Sequence, residues 1–336
     1  MKDIYFITGV AGFLGSHLAE SIIKDGHRVI GCDNLVGGYR DNVPDGVEFY
    51  VEDCTNREKM LELMRGATIV YHTAAYAYEG LSVFSPYLIT ENIYGGTISV
   101  LSAAIANKVK RFVQCSSMAR YGSQPVVPFT EEMVCQPQDP YGIAKYAADL
   151  TLKNLCETHG MEYVIAVPHN IIGPRQKYDD PFRNVASIMI NLMLQGRQPI
   201  IYGDGEQVRS FSFVDDVVAP LKKMGVDNAP VGEIINIGPD EHAITVNKLA
   251  ETIARLLDFK LETIYMPDRP REVYNATCSA DKARKLLNYK TTVSLEDGLK
   301  KMIEYIRERG VKPFSYHFDL EIINDKTPRA WKDRLF

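Results

Sequence analysis

The sequence offers little to a metal ion or a disulfide. Its six cysteines, Cys32, Cys54, Cys115, Cys135, Cys156 and Cys278, are scattered with no Cys-xx-Cys pair. That excludes the usual zinc spacing and reads as reduced, cytoplasmic thiols. The seven histidines show no His-Glu-xx-His or related ligand spacing, so no metal site is expected. No apolar run reaches the ~20 residues that a membrane span needs. Met1-Lys2-Asp3-Ile4-Tyr5 leads straight into a strand pattern, so no signal peptide is expected. Net charge is only −5, with both signs well mixed. Neither nucleic acid nor an anionic membrane is expected as a partner. There is no internal repeat and only one tryptophan, Trp331. What remains is a chain of 336 residues, enough for one large or two unequal domains.

The positive signals begin at the N-terminus. Ile4-Tyr5-Phe6-Ile7-Thr8 is a short apolar run of the kind found in buried parallel strands. It enters a loop with glycines at Gly9, Gly12 and Gly15, followed by an amphipathic helix through Leu18, Ala19, Ile22 and Ile23. Strand, spaced glycines and helix together suit a dinucleotide diphosphate: Gly9 for the turn, Gly12 for close backbone approach, Gly15 for packing of helix on sheet. The second strand, Arg28 to Asp33, ends in an acid about 20 positions on, where a carboxylate can hold both adenosine ribose hydroxyls and repel a 2′-phosphate. Asn34 and Leu35 follow, with no adjacent arginine, which favours NAD over NADP. A third strand is expected over Val47 to Cys54, closing on Asp53 with Cys54 beside it near the adenine. A fourth, Ala67 to Ala75, opens into small residues at Ala74 and Ala75 where a cofactor can lie. His72 within it reads as a structural, hydrogen-bonded residue. A long helix from about Leu88 to Ala106 contains Asn92, a residue mildly unfavourable there, which suggests that it orders nearby backbone or water. A fifth strand, Arg111 to Ser117, places Ser117 at a carboxyl end, either as a substrate ligand or as a local backbone cap. Strands alternating with helices argue for a doubly wound parallel sheet.

Pro140 suits the first turn of a helix running to about Thr158. Tyr141 and Lys145 are four apart and share one face of it. A free tyrosine, with a pKa of about 10, is a poor base at neutral pH. A cation beside it favours the phenolate. The spacing alone equally describes an ordinary surface pair, so it gains weight only from its surroundings.

Taken together these motifs resemble the extended short-chain dehydrogenase/reductases, and among them the nucleotide-sugar epimerases and dehydratases. The matching pieces are Thr8-Gly9-xx-Gly12-xx-Gly15, Asp33, Asp53, Asn92, Ser116-Ser117-xxx-Tyr121-Gly122 and Tyr141-xxx-Lys145 in the first half. His169-Asn170-Ile171-Ile172-Gly173-Pro174-Arg175, Gly203-Asp204-Gly205-xxx-Arg209, Asp215-Asp216 and Asn236-Ile237-Gly238 come in the second. The resemblance implies a Rossmann-like α/β fold with a smaller, mostly C-terminal α/β substrate domain. Residues 1–168 with parts of 204–240 would bind NAD, 169–203 and 241–311 the nucleotide sugar, leaving a tail at 312–336. It also implies a homodimer pairing through the two long helices. Tyr141 would be the base, Lys145 its electrostatic partner and a ribose ligand, and Ser117 a donor to the substrate hydroxyl. Gly9, Gly12, Phe13, Leu14, Asp33, Asn34, Asp53, Cys54, Ala74, Ala75, Asn92 and Pro168 would contact the cofactor. Met118, Asn170, Arg209 and Arg269 would join Ser117 around the substrate.

The resemblance also separates the chemistries. Look-alike dehydratases carry Asp-Glu directly after the serine or threonine matching Ser117, decarboxylases carry a Glu there, and a 3,5-epimerase has a cysteine at the position of Ala119. Here the positions hold Met118 and Ala119, neither of which can move a proton. Hydride transfer with one hydroxyl proton remains, which fits 4-epimerisation of a UDP-hexose. A dehydratase or 3,5-epimerase is the alternative, and a non-catalytic NAD-binding protein a further one. Arg209 reads either as a bidentate diphosphate grip or as an ion pair with Asp215 or Asp216. Arg271 replaces the glycine that the family often has in Arg-Pro-Gly-Asp/Glu. The tail, which holds Trp331, can clasp its own domain or a second subunit.

Overall fold

The apolar runs of the first half become strands of one sheet, all largely buried except the third. In the computed structural model, which describes residues 3–336, they are β1 (Ile4–Thr8), β2 (Arg28–Asp33), β3 (Val47–Val51), β4 (Ile69–His72), β5 (Arg111–Cys115) and β6 (Glu162–Pro168). A further strand, β7 (Ile234–Ile237), completes one sheet of seven in the order β7-β6-β5-β4-β1-β2-β3. Every pairing in it is parallel. The chain reverses its direction of travel across the sheet between β1 and β4. In such sheets the ligand crevice lies there, outside the strands' carboxyl ends.

Several strands stop sooner than the apolar pattern predicts. The third ends at Val51 rather than Cys54, and the fourth spans only Ile69–His72. The third falls short at its carboxyl end, and the fourth by two residues at its amino end and three at its carboxyl end, where the backbone leaves the ladder to form the crevice wall. Two apolar layers cover the sheet. Leu18, Val217 and Leu221 pack on one face, and Val100, Leu101 and Leu152 on the other. His72 is buried between them as expected, bonded to the hydroxyls of Thr8 at 2.8 Å and Thr97 at 3.1 Å. Burial lowers its pKa to about 3, so it stays neutral.

A smaller α/β unit stands on the carboxyl side. Helices Val185–Leu194, Val246–Leu257 and Leu295–Arg309 share a third core around Met189, Ile253 and Met302. Short strand pairs border it, among them Ile200–Tyr202 with Ile264–Met266. The chain between the two units is interleaved: Ala280, Ala283 and Leu287, far along the sequence, pack under the large sheet rather than with the smaller unit.

Three details bear on the site. The predicted helix over Leu88 to Ala106 is two helices, Pro86–Thr90 and Gly96–Ala106, joined by a π-helical turn at Glu91–Gly95. The helix Pro140–His159 is capped by Asp139, whose carboxylate accepts from the Gly142 N–H, and stops at Gly160 in the left-handed region. Arg271, standing where the family often has glycine, has φ +64°, a region that glycine reaches far more easily.

Candidate active site

One deep cavity opens at the carboxyl ends of β1, β4 and β5. Its lining includes Tyr141, Lys145 and Ser117 and, on the cofactor side, Gly9, Gly12, Phe13, Leu14, Asp33, Asn34, Cys54, Ala74, Ala75, Asn92 and Pro168. Asn170, Arg209 and Arg269 line its other half. Two predicted residues fall outside it. Asp53 turns away because Asn34 Nδ2, at 2.6 Å, and the Thr55 hydroxyl, at 2.7 Å, hold its carboxylate. Met118 opens a short 3₁₀ turn and packs on the core beside Cys156 and Tyr121, meeting Asn170 only through its sulfur.

The cofactor half fits NAD. Gly9 has φ +72°, and a Cβ there would lie 2.9 Å from the backbone N and Cα of Ala74. The helix Phe13–Lys24 begins beside the cavity with no side chain capping its first N–H groups, which leaves them for an anion such as a diphosphate. Asp33 accepts from the N–H groups of Ala11 at 3.1 Å and Leu35 at 2.7 Å, which fixes its carboxylate at the end of β2. Burial pushes that carboxyl up, against those bonds. Asn92 ties the neighbouring loop by accepting from the Tyr76 N–H at 2.9 Å.

The catalytic half differs from expectation in one respect. The four-residue spacing predicts an ammonium that acidifies the Tyr141 phenol. Lys145 instead donates to the Cys115 carbonyl oxygen at 2.7 Å, with Nζ 6.0 Å from the phenol ring centre. Burial therefore dominates and pushes the phenol up. The Glu79 and Asp139 carboxylates push the same way, while the neighbouring Ser117 hydroxyl and the Arg183 guanidinium oppose them. Burial pulls the Lys145 ammonium down, and Asp149, one turn further along the helix, holds it up. Asp149 is itself buried, accepting from the Ser116 hydroxyl at 2.5 Å and Arg120 at 2.9 Å, and burial pushes its carboxyl up to about 6. Ser117 also accepts from the Ala119 N–H at 3.2 Å, so it caps the turn as well as facing the cavity.

On the far side, Arg209 pairs with Glu272 at 3.5 Å rather than with Asp215 or Asp216, and donates to the carbonyls of Val208, Val273 and Tyr274. Arg269 meets the same Glu272 at 2.9 Å and lies over the Tyr202 ring at 4.9 Å. Asn170 donates to the Ser210 carbonyl at 3.0 Å. His169 is buried, with Nε2 3.2 Å from the Pro239 carbonyl.

The motifs do not flag four cavity residues. Glu79 lines the cavity, and desolvation followed by the Asp139 carboxylate raises its pKa to about 7. Arg183 approaches Gly37 so closely that a Cβ there would overlap its guanidinium, and its charge acts on Asp33. The same guanidinium pairs with Asp180 at 3.6 Å and lies over the Tyr78 ring at 4.9 Å. Trp331 and Phe336 of the tail also line the cavity. The only available hints are the tail's aromatic content and a basic residue just before the cap of the Val185–Leu194 helix. Among the described residues no cluster suits a metal, all six cysteines are unpaired, and no helix is long and apolar enough to cross a membrane.

Comparison with known proteins points the same way. A putative UDP-glucose 4-epimerase of Methanocaldococcus jannaschii is 33% identical over 309 residues, 90% of this chain and 98% of that one. A UDP-N-acetyl-alpha-D-glucosaminuronate decarboxylase of Bacillus cytotoxicus is 32% identical over 327 residues, 92% and 99% of the two chains. The crystal structure of Thermotoga maritima UDP-glucose 4-epimerase with UDP-glucose superposes with a TM-score of 0.85 at 32% identity, covering 91% of this chain and 99% of that one. The model of one family matches residues 5–238. The chain belongs to that family, the NAD dependent epimerase/dehydratases.

Proposed function

We propose that the protein is an NAD-dependent 4-epimerase of a UDP-hexose. The observation that carries this reading is a cavity holding Tyr141, Lys145 and Ser117 while positions 118 and 119 are Met and Ala. NAD, which Gly9, Gly12 and Asp33 would hold, would supply the hydride acceptor and donor for sugar carbon 4 and a positive charge that favours a nearby phenolate. Tyr141 takes the proton of the 4-hydroxyl and later returns it. Ser117 donates to the same oxygen as it gains carbonyl character. Lys145, donating to the Cys115 carbonyl, sets its amine beside the phenol, where burial pulls its pKa down and Asp149 opposes that. Arg209 and Arg269 exchange Glu272 for the diphosphate, so the nucleotide stays anchored while the flat 4-keto sugar turns over. Asp33 orients the adenosine ribose, and Asn170 donates to the substrate diphosphate.

Residues 1–168 with parts of 204–240 then serve the cofactor, and 169–203 with 241–311 the sugar nucleotide, except for the helix Asp281–Leu287, which packs under the large sheet. A homodimer through the long helices fits the exposure of Ile143 and Leu150, seven residues apart on the Pro140–His159 helix; sedimentation at monomer mass would remove it. Six unpaired thiols fit a cytoplasmic location.

The test is incubation with UDP-glucose, UDP-glucuronate and UDP-N-acetylglucosamine, in deuterated water, and then NMR. A 4-epimer from one of them, with carbons 5 and 6 unlabelled, is expected, and Tyr141→Phe should abolish turnover while keeping NAD. A second reading rests on Glu79, a carboxyl near neutrality in the same cavity, which can serve as the proton carrier that Met118 and Ala119 cannot supply. Deuterium at carbon 5, or a dehydrated product, would select that reading.

A further inference from the structure

The tail 312–336 lies beyond the residues that the family model matches, yet it crosses both units of the fold. The Glu321 carboxylate accepts from the N–H groups of Tyr87 at 3.0 Å and Leu88 at 2.8 Å, and the Ile322 N–H donates to the Phe84 carbonyl at 2.9 Å. On the other side, Arg197 donates to the Leu335 carbonyl at 2.7 Å. Between these ties Trp331 packs edge-on against Phe84, Phe182 and Tyr202, with centroids 6.1, 5.4 and 6.2 Å away.

Its position is next to the arginines. A Cβ on Gly80 would lie 3.1 Å from Arg269 Nη1 and 3.2 Å from Trp331 Cη2, so guanidinium and indole stand side by side across that glycine. Trp331 is only 4% exposed and lines the cavity, but its Nε1 has no hydrogen-bond partner among the described residues. Two more buried polar atoms at this end also lack one: the Tyr202 hydroxyl and the Gln207 amide oxygen, although the Gln207 Nε2 is used by the Tyr202 carbonyl at 2.8 Å. Buried polar groups are normally satisfied, because leaving one bare costs free energy. Donors and an acceptor left bare together beside a cavity would be satisfied by a polar ligand that reaches them.

We propose that the tail is part of the nucleotide-sugar site: Trp331 donates its indole N–H to an oxygen of the bound nucleoside diphosphate sugar, beside Arg269, and its ring closes that end of the cavity. The identity of that ligand rests on the 4-epimerase reading. Trp331 is then a recognition residue contributed by a segment outside the family motifs.

Trp331 is the only tryptophan, so it reports on itself. The holoenzyme is titrated with UDP, UDP-glucose and AMP under selective indole excitation, with calorimetry in parallel. UDP and UDP-glucose should move the emission saturably, with the midpoint that calorimetry gives, and AMP should not. Trp331→Phe keeps an aromatic wall but deletes the donor; it should weaken UDP-glucose binding about five- to tenfold and raise KM with kcat unchanged. Calorimetric binding with unmoved emission, or wild-type affinity in Trp331→Phe, overturns the proposal while leaving the epimerase reading intact. Absence of any calorimetric binding by UDP or UDP-glucose overturns both.

Discussion

Replacing Gly9 by alanine tests the cofactor loop most directly. The new methyl group would sit 2.9 Å from the N and Cα of Ala74 and 3.2 Å from the carbonyl carbon of Thr73, all backbone atoms that cannot rotate aside. Gly9 also has φ +72°, a region that costs an L-residue about 1–2 kcal/mol. Overpacking against fixed neighbours adds about 1–3 kcal/mol. The expected loss is therefore roughly 2–5 kcal/mol, a large part of the ~5–15 kcal/mol that holds a domain folded. With an unfolding entropy of about 0.7 kcal/mol/K for a chain of this length, the melting temperature should fall by about 3–7 °C. The Gly9 carbonyl accepts from the Gly12 N–H at 3.0 Å, so the loop moves with it, and bound NAD should be lost on gel filtration. Gly95→Ala is the control. Nothing lies within 4 Å of a Cβ there and the backbone is helical, so the same chemical change should be neutral or stabilise by about 0.5–1 kcal/mol. Thermal unfolding and NAD content of both variants decide it. Gly9→Ala within about 0.5 kcal/mol of the parent, a change too small for either mechanism, with its NAD retained would refute the steric argument.

Two further outcomes are expected from the cavity and its strap. Glu79→Gln removes a carboxyl that titrates near pH 7 and, when ionised, pushes the Tyr141 phenol up. The pH–rate profile should lose its inflection near 7 and its rising limb should move to lower pH; superimposable profiles would show that Glu79 does not face the chemistry. Glu321→Ala removes a carboxylate shared by two free N–H groups at a helix start, and should cost about 1 kcal/mol. Its tail should also be cleaved faster by protease, and unchanged cleavage would argue that the strap is held elsewhere.

Local patterns announce the parts of the molecule that are locally determined. The apolar run before Gly9 is β1, the acid at Asp33 ends β2, and Asp139-Pro140 starts the helix that carries Tyr141 and Lys145. Arg271 belongs here too, since its departure from glycine coincides with a left-handed backbone. The hidden features depend on chain segments that meet only after folding. Arg183 reaches Asp33 from 150 residues further on, and Trp331 reaches Gly80 from the other end of the sequence. Asp53 sits just past the end of β3, but its carboxylate has nearer partners in Asn34 and Thr55. The phenol's acidity escapes the motif because spacing reveals a neighbouring cation but not the loss of water around both groups.

The π-helical turn at Glu91–Gly95 amounts to one surplus residue in an otherwise regular rod. Excising any single position from it would let ordinary winding resume, rotating the upstream half of the rod by about 100° relative to the downstream half. Asn92 would then swing off Tyr76, and the wall beside the cofactor would lose its anchor. A tidier helix is thus available to this lineage by one small deletion, and it would be a less competent enzyme.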